Sequence, residues 1–147
     1  MADDTPALVH KLRELTVELD LLGSEFARTN GMHPTDVRAL IALLDAHRAG
    51  TPATPGWLRT RLGLESATVT ALVDRMETAG HVRRERDTAD RRRVLISVTP
   101  SATALGWSFF GPLIAGATEH TGRFTDAEQN VIDRFLDGML DAVRSAT

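Results

Sequence analysis

Two clusters of side chains in this sequence have types and spacing suited to chemistry, and the chemistry is recognition. The first runs from Ser66 to Arg75. It offers hydroxyls at Ser66, Thr68 and Thr70, methyls at Ala67 and Ala71, and a guanidinium at Arg75. Hydroxyls can bond base edges or phosphate oxygens, and an Ala or Thr methyl can meet a thymine methyl. The second cluster is Asp87-Thr-Ala-Asp90 followed by Arg91, Arg92 and Arg93. Arginines at the end of a short loop suit a narrow minor groove, where negative potential concentrates. Asp87 and Asp90 would be out of place in a pure phosphate clamp. They make sense if one braces an arginine and shapes the loop. Each cluster also has a plainer reading, as exposed helix residues and as a solvated turn.

Catalysis finds no candidate. No Gly-rich phosphate loop, Gly-x-Ser-x-Gly elbow or paired carboxylate frame stands out, so the chain does not read as an enzyme. His10, His33, His47, His81 and His120 lack HExxH spacing, and there is no cysteine to join them. No metal or other cofactor is expected. The absence of cysteine also removes disulfides and thiol redox sensing. No apolar run is long enough for a membrane helix. Met1-Ala2-Asp3-Asp4 lacks the basic and apolar regions of a secretory signal. A cytoplasmic protein with no membrane partner is the expectation.

The charge balance supports recognition of phosphate by one part of the chain. Net charge is −3. From Pro55 to Thr99, however, nine arginines face six acidic residues, while the remainder holds eight basic and fourteen acidic residues. A basic segment inside an acidic protein separates a phosphate-facing surface from one kept off it.

These clusters need elements to hold them. With 42% hydrophobic residues over 147 positions, the chain can bury a core. Leu8, Leu12, Leu15, Leu19, Leu22 and Phe26 step by four and three, the seam of a helix over Pro6–Thr29 that packs along another helix. That partner could be a second copy or the C-terminal helices of the same chain. Asn30-Gly31 ends this helix. Pro34 opens a second helix, through Val37, Leu40, Ile41 and Leu44 to about Arg48. Thr54-Pro55 opens a short third helix with Trp57, Leu58 and Leu62 inward, which Gly63 breaks. Glu65 to Ala79 forms a fourth helix, burying Val69, Leu72, Val73 and Met76 and showing the hydroxyl cluster on its other side. His81–Arg86 and Arg93–Val98 read as a β-hairpin with a polar tip. Thr99-Pro100 starts a fifth helix to about Thr121, with a kink expected near Pro112. Thr125 and Glu128 have capping-box spacing. The last helix carries Val131, Ile132, Phe135, Leu136, Met139, Leu140 and Val143 on its inner stripe.

The fold class is therefore mostly α with a small β-hairpin wing. It comprises a winged helix-turn-helix lobe over residues 33–99 and a helical region over 1–32 and 100–147, which is a dimerisation region where a second copy covers its seam. A major groove accepts one α-helix, and the fourth helix supplies one packing face and one polar face. Its N-terminal end would enter first, where free backbone N–H groups favour phosphate.

The run from Pro55 to Asp87, with Gly63, Ala67-Thr-Val-Thr70 and Leu72-Val-Asp-Arg75, followed by Asp90-Arg-Arg-Arg93, resembles the MarR family of bacterial transcription regulators. The resemblance is strong across residues 55–100 and agrees in helix order over nearly the whole chain. It implies a homodimer whose first and last two helices interlock, with Leu8, Leu12, Leu15, Leu19, Phe135 and Met139 at the interface. It implies two winged lobes reading near-palindromic double-stranded DNA. Arg92 falls at the minor-groove arginine of the family's Asp-x-Arg wing, and Ser66, Thr68, Thr70 and Arg75 fall at recognition-helix positions. Two residues depart from the pattern. Glu65 stands where Ser or another cap is usual, and Ala71 where many members carry Arg or another polar residue. The resemblance also implies a small, often aromatic effector. His10, His33, Trp107, Phe109 and Phe110 are candidates to line its pocket, set against ordinary roles in core or surface. The competing reading is a dimeric protein-interaction module of the same fold with little DNA affinity.

Overall fold

The computed structural model describes residues 6–146. The acidic start, Met1 to Asp4, lies outside the described residues. Six helices and one hairpin follow in the expected order. They are α1 (Ala7–Thr29), α2 (Pro34–Arg48), α3 (Pro55–Leu62), α4 (Ser66–Thr78), β1 (Val82–Arg86), β2 (Val94–Val98), α5 (Pro100–Thr121) and α6 (Asp126–Ser145). Among these residues no helix is long and apolar enough to cross a membrane. One compact unit runs up to Leu105 and a second from Gly106 onward.

The core of the first unit lies where α2, α3, α4 and the hairpin meet. Leu58, Val69, Leu72, Val73, Met76, Val82 and Ile96 are all buried there with Ala39, Leu40, Ala42 and Leu43 of α2. The four expected inward residues of α4 are the four that are buried. Each contributes about 1.5–3 kcal/mol of apolar burial, which fixes the rotation of the helix about its axis. On α2 the buried stripe falls on Val37, Ala39, Leu40, Ala42, Leu43 and Ala46, and Ile41 and Leu44 are exposed. The small alanines let α2 sit close to its neighbours.

Local signals set the ends of the elements. Thr54 Oγ1 accepts the Trp57 N–H at 3.1 Å and caps α3. Gly63 ends α3 at φ 64°, a left-handed conformation that glycine adopts without a Cβ penalty. Thr99 Oγ1 accepts the Ala102 N–H at 3.2 Å, opening α5 before Pro100. Thr125 and Glu128 form the expected capping box on α6. α5 runs as one helix through Pro112.

β1 and β2 pair antiparallel with Val82 opposite Val98, Arg84 opposite Ile96 and Arg86 opposite Val94. The Ile96 N–H also donates to the Ala53 carbonyl at 2.8 Å, joining the hairpin to the segment before α3. This bond joins two main-chain atoms and has no signature in the side-chain pattern.

The long helices differ from expectation in one respect. On α1 only Phe26 and Ala27 are buried, while Leu8, Leu15 and Leu19 are exposed and Leu12 is half-buried. On α6 no residue is buried; Phe135 is exposed and Met139 half-buried. The apolar stripes are present at helical spacing, but a single copy of the chain leaves them open to solvent. Monomeric proteins rarely leave such large contiguous apolar patches uncovered.

Candidate nucleic-acid interface

The candidate surface is built on α4. Because Val69, Leu72, Val73 and Met76 occupy its inner stripe, Ser66, Ala67, Thr68, Thr70 and Ala71 all stand exposed on the other side. The Thr70 hydroxyl donates back to the Ser66 carbonyl at 3.0 Å, which occupies its proton and leaves the oxygen able to accept. Ala67, Thr68, Ala71 and Arg75 border a shallow groove with His33 and Leu64. Thus His33, a candidate for an effector pocket, sits beside the candidate DNA-binding face. Glu65 is the N-cap residue of α4 and makes no side-chain capping bond. The departure noted in the sequence is real in its local effect: the first N–H groups of α4 are free of a side-chain cap.

Arg75 is fastened within the fold. Its Nη2 donates to Asp36 Oδ1 at 2.5 Å and its Nε to Asp36 Oδ2 at 3.2 Å. Asp36 is only 3% exposed and also accepts the His33 N–H at 3.1 Å. The hydrogen bonds to Asp36 hold the Arg75 guanidinium more firmly protonated than usual. The fork ties α4 to the first turn of α2. Asp36 was missed at the level of sequence, although a signal existed. It shares a stripe with Ala39, Leu40 and Leu43, and a charge among apolar side chains demands a cation.

The wing is held by its acidic residues. Asp87 is buried and takes Arg93 in a two-pronged ion pair, with Nε at 2.9 Å and Nη2 also bonded. It accepts the Ala89 N–H at 3.0 Å as well. The Ala89 N–H and then Arg93 hold the Asp87 carboxyl below its ordinary range. Asp90 Oδ1 accepts the Arg92 N–H at 3.0 Å, the side-chain-to-backbone turn that aspartate favours. Arg86 Nη1 donates to the Arg91 carbonyl at 3.0 Å. Both acidic residues shape the loop, and Arg93 is consumed in that task.

The nine arginines of the basic segment therefore divide. Arg75, Arg84 and Arg93 are fastened to carboxylates, Arg83 lies 3.7 Å from Glu85, and Arg86 serves the wing backbone. Arg59 and Arg61 on α3, and Arg91 and Arg92 at the wing tip, carry no side-chain partner among the described residues and are exposed. An exposed, unpaired guanidinium can meet a phosphate without first breaking an ion pair.

His10 is half-buried on α1, Trp107 is exposed, and Phe110 is half-buried with its ring edge-to-face on Phe109 at 4.9 Å. No group of three potential ligands among the described residues is placed to hold a metal ion.

Comparison with known proteins agrees with this geometry. The model of the MarR family matches residues 30–93. The uncharacterized HTH-type transcriptional regulator YcgE of Bacillus subtilis is 34% identical over 133 residues, covering 90% of this chain and 84% of that protein. Among solved structures, a MarR family protein from Bacillus stearothermophilus is 26% identical with a TM-score of 0.66, covering 93% of each chain. The Staphylococcus aureus MepR–DNA complex shares the fold at 18% identity and a TM-score of 0.58, covering 92% of this chain and 98% of that one. The order of elements, the polar face of α4 and the aspartate-braced wing agree with this relationship, and the chain belongs to the MarR family of HTH-type transcriptional regulators.

Proposed function

We propose that this regulator is a homodimer that reads near-palindromic double-stranded DNA, with α4 of each copy in a major groove and Arg92 of each wing at a minor groove. The observation that carries the reading is the exposed row Ser66, Ala67, Thr68, Thr70 and Ala71 beside two unpaired wing-tip arginines. The MepR–DNA complex supports it, since the same fold engages DNA there. The uncovered stripes of α1 and α6 support the second copy. Residues 1–32 and 100–147 would form the dimerisation region, and 33–99 the reading lobe. Half-sites would lie about 10 base pairs apart, one helical turn, so that both lobes reach one face of the duplex. Repression, its relief by a small aromatic effector, and a cytoplasmic site of action complete the proposal on family grounds.

The test is fluorescence anisotropy with a duplex from upstream of the chain's own gene and a scrambled duplex, each titrated at several salt concentrations. Tight binding that depends on sequence and falls steeply with salt is expected. Arg92→Ala should weaken it and lower the salt slope by about one unit. Unchanged affinity in that variant removes the wing from the reading. Weak, equal binding to both duplexes, with the same result for other genomic fragments, would favour a protein-interaction module instead.

A further inference from the structure

Asp74 and Glu77 carry the wrong sign for a helix that approaches phosphates, yet both stand on the exposed side of α4. Their partner explains them. Arg84 of β1 sends Nη2 to Asp74 Oδ1 at 2.6 Å and Nη1 to Glu77 Oε1 at 2.8 Å. Its backbone N–H donates to Glu77 Oε2 at 3.0 Å. The two carboxylates are three residues apart and so neighbours on the helix surface, a spacing that the planar guanidinium spans. Arg84 sits opposite Ile96 in the hairpin, on the inward face of the strand pair, and its side chain is 29% exposed.

We infer that Arg84 is a positioning residue that fastens the wing to the recognition helix, so that α4 and the hairpin meet DNA as one rigid element. Arg84 itself then makes no phosphate contact. Its charge is spent on Asp74 and Glu77, whose negative charge is in turn withdrawn from the DNA. The fastening is a property of the free chain; its consequence for affinity rests on the DNA reading proposed above.

Two variants of the full chain test this, Arg84→Met and the pair Asp74→Asn with Glu77→Gln. In the free protein, amide hydrogen exchange over 82–86 and 94–98 is expected to speed up about fivefold or more relative to that over 69–73, the scale of losing a short charge-assisted contact. Taking the ratio cancels any general loss of stability. An unchanged ratio in both variants overturns the inference, whether or not the chain binds DNA. In anisotropy with the upstream duplex, the carboxylate variant gives a test of sign. Removing two negative charges beside phosphates would tighten binding if they acted only by charge. Fastening requires about tenfold weaker binding instead. Arg84→Met combined with Arg92→Ala should cost less than the sum of the single losses, because a loosened wing has less to lose. Tighter binding in the carboxylate variant, or strictly additive losses in the combination, would overturn the inference. A parent chain that binds no duplex would fail the DNA reading alone and leave the exchange result to decide the fastening.

Discussion

Replacing Arg75 by methionine should destabilise the fold more than its surface position suggests. Methionine keeps much of the side-chain stem and removes the guanidinium. Asp36, buried at 3% exposure, would then keep only the His33 N–H as a partner. Breaking a buried ion pair from one side costs about 3–5 kcal/mol. Here the Arg75 side chain is 44% exposed, so solvent screens part of the pair, and the lower limit is the surface value of under about 1 kcal/mol. A loss of about 2 kcal/mol lies between these limits, equivalent to a melting point lower by about 4–8 °C for a chain of this size. Adding Asp36→Asn should recover most of the loss. Asparagine still accepts the His33 N–H and leaves no buried charge unpaired. Urea unfolding followed by circular dichroism would measure both variants at one fixed protein concentration, because association would make the midpoint depend on concentration. A single variant within about 0.5 kcal/mol of the parent, or a double variant no better than the single, would refute the reasoning and return Arg75 to the list of plain surface contacts.

Other consequences can be measured independently. Leu15→Asp with Leu19→Asp should shift sedimentation toward a single copy and weaken duplex binding together; a variant that sediments as one copy and binds as tightly as the parent would contradict the dimer. Leu72→Ala, at a site 1% exposed, should lower unfolding stability by about 2–5 kcal/mol, read from the urea midpoint. The wing should keep its shape at neutral and mildly acidic pH. Asp87 titrates below its ordinary 3.8 in the folded chain, so its contribution is present above that value and is lost as pH falls through the lowered one. An NMR titration of the Asp87 carboxyl with a midpoint at or above 3.8 would show that its bonds to Ala89 and Arg93 are absent in solution.

The architecture was legible because its signals are local. Thr54-Pro55, Gly63, Thr99-Pro100 and the Thr125–Glu128 pair mark element ends through bonds made within a few residues, and each ends or begins an element where expected. The inward stripe of α4 was equally plain, because its period is fixed by helix geometry. The assignment of individual arginines was harder. Nothing in Arg91-Arg92-Arg93 tells which one is consumed by Asp87, since that depends on how the hairpin turns. Arg75 and Arg84 were open for a related reason. Their carboxylates lie 39 and up to 10 residues away in sequence, and only folding brings them together. The stripes of α1 and α6 were read correctly as apolar, but a pattern shows that a face seeks cover without naming what covers it.

The bond from the Ile96 N–H to the Ala53 carbonyl has a consequence for how such a protein can vary. Both atoms belong to the main chain, so no side-chain functional group is needed to make the bond, and the buried Ala53 and Ile96 side chains pack the same spot into the core. Only a proline at position 96 would delete the donor. The base of the wing is thereby set by main chain and core, whereas Arg91 and Arg92 at its tip and the exposed Ser66, Ala67, Thr68, Thr70 and Ala71 on α4 can change without loosening the anchor. On the DNA reading proposed above, new target preferences can be sampled at the tip and on the helix surface while the support beneath them stays the same.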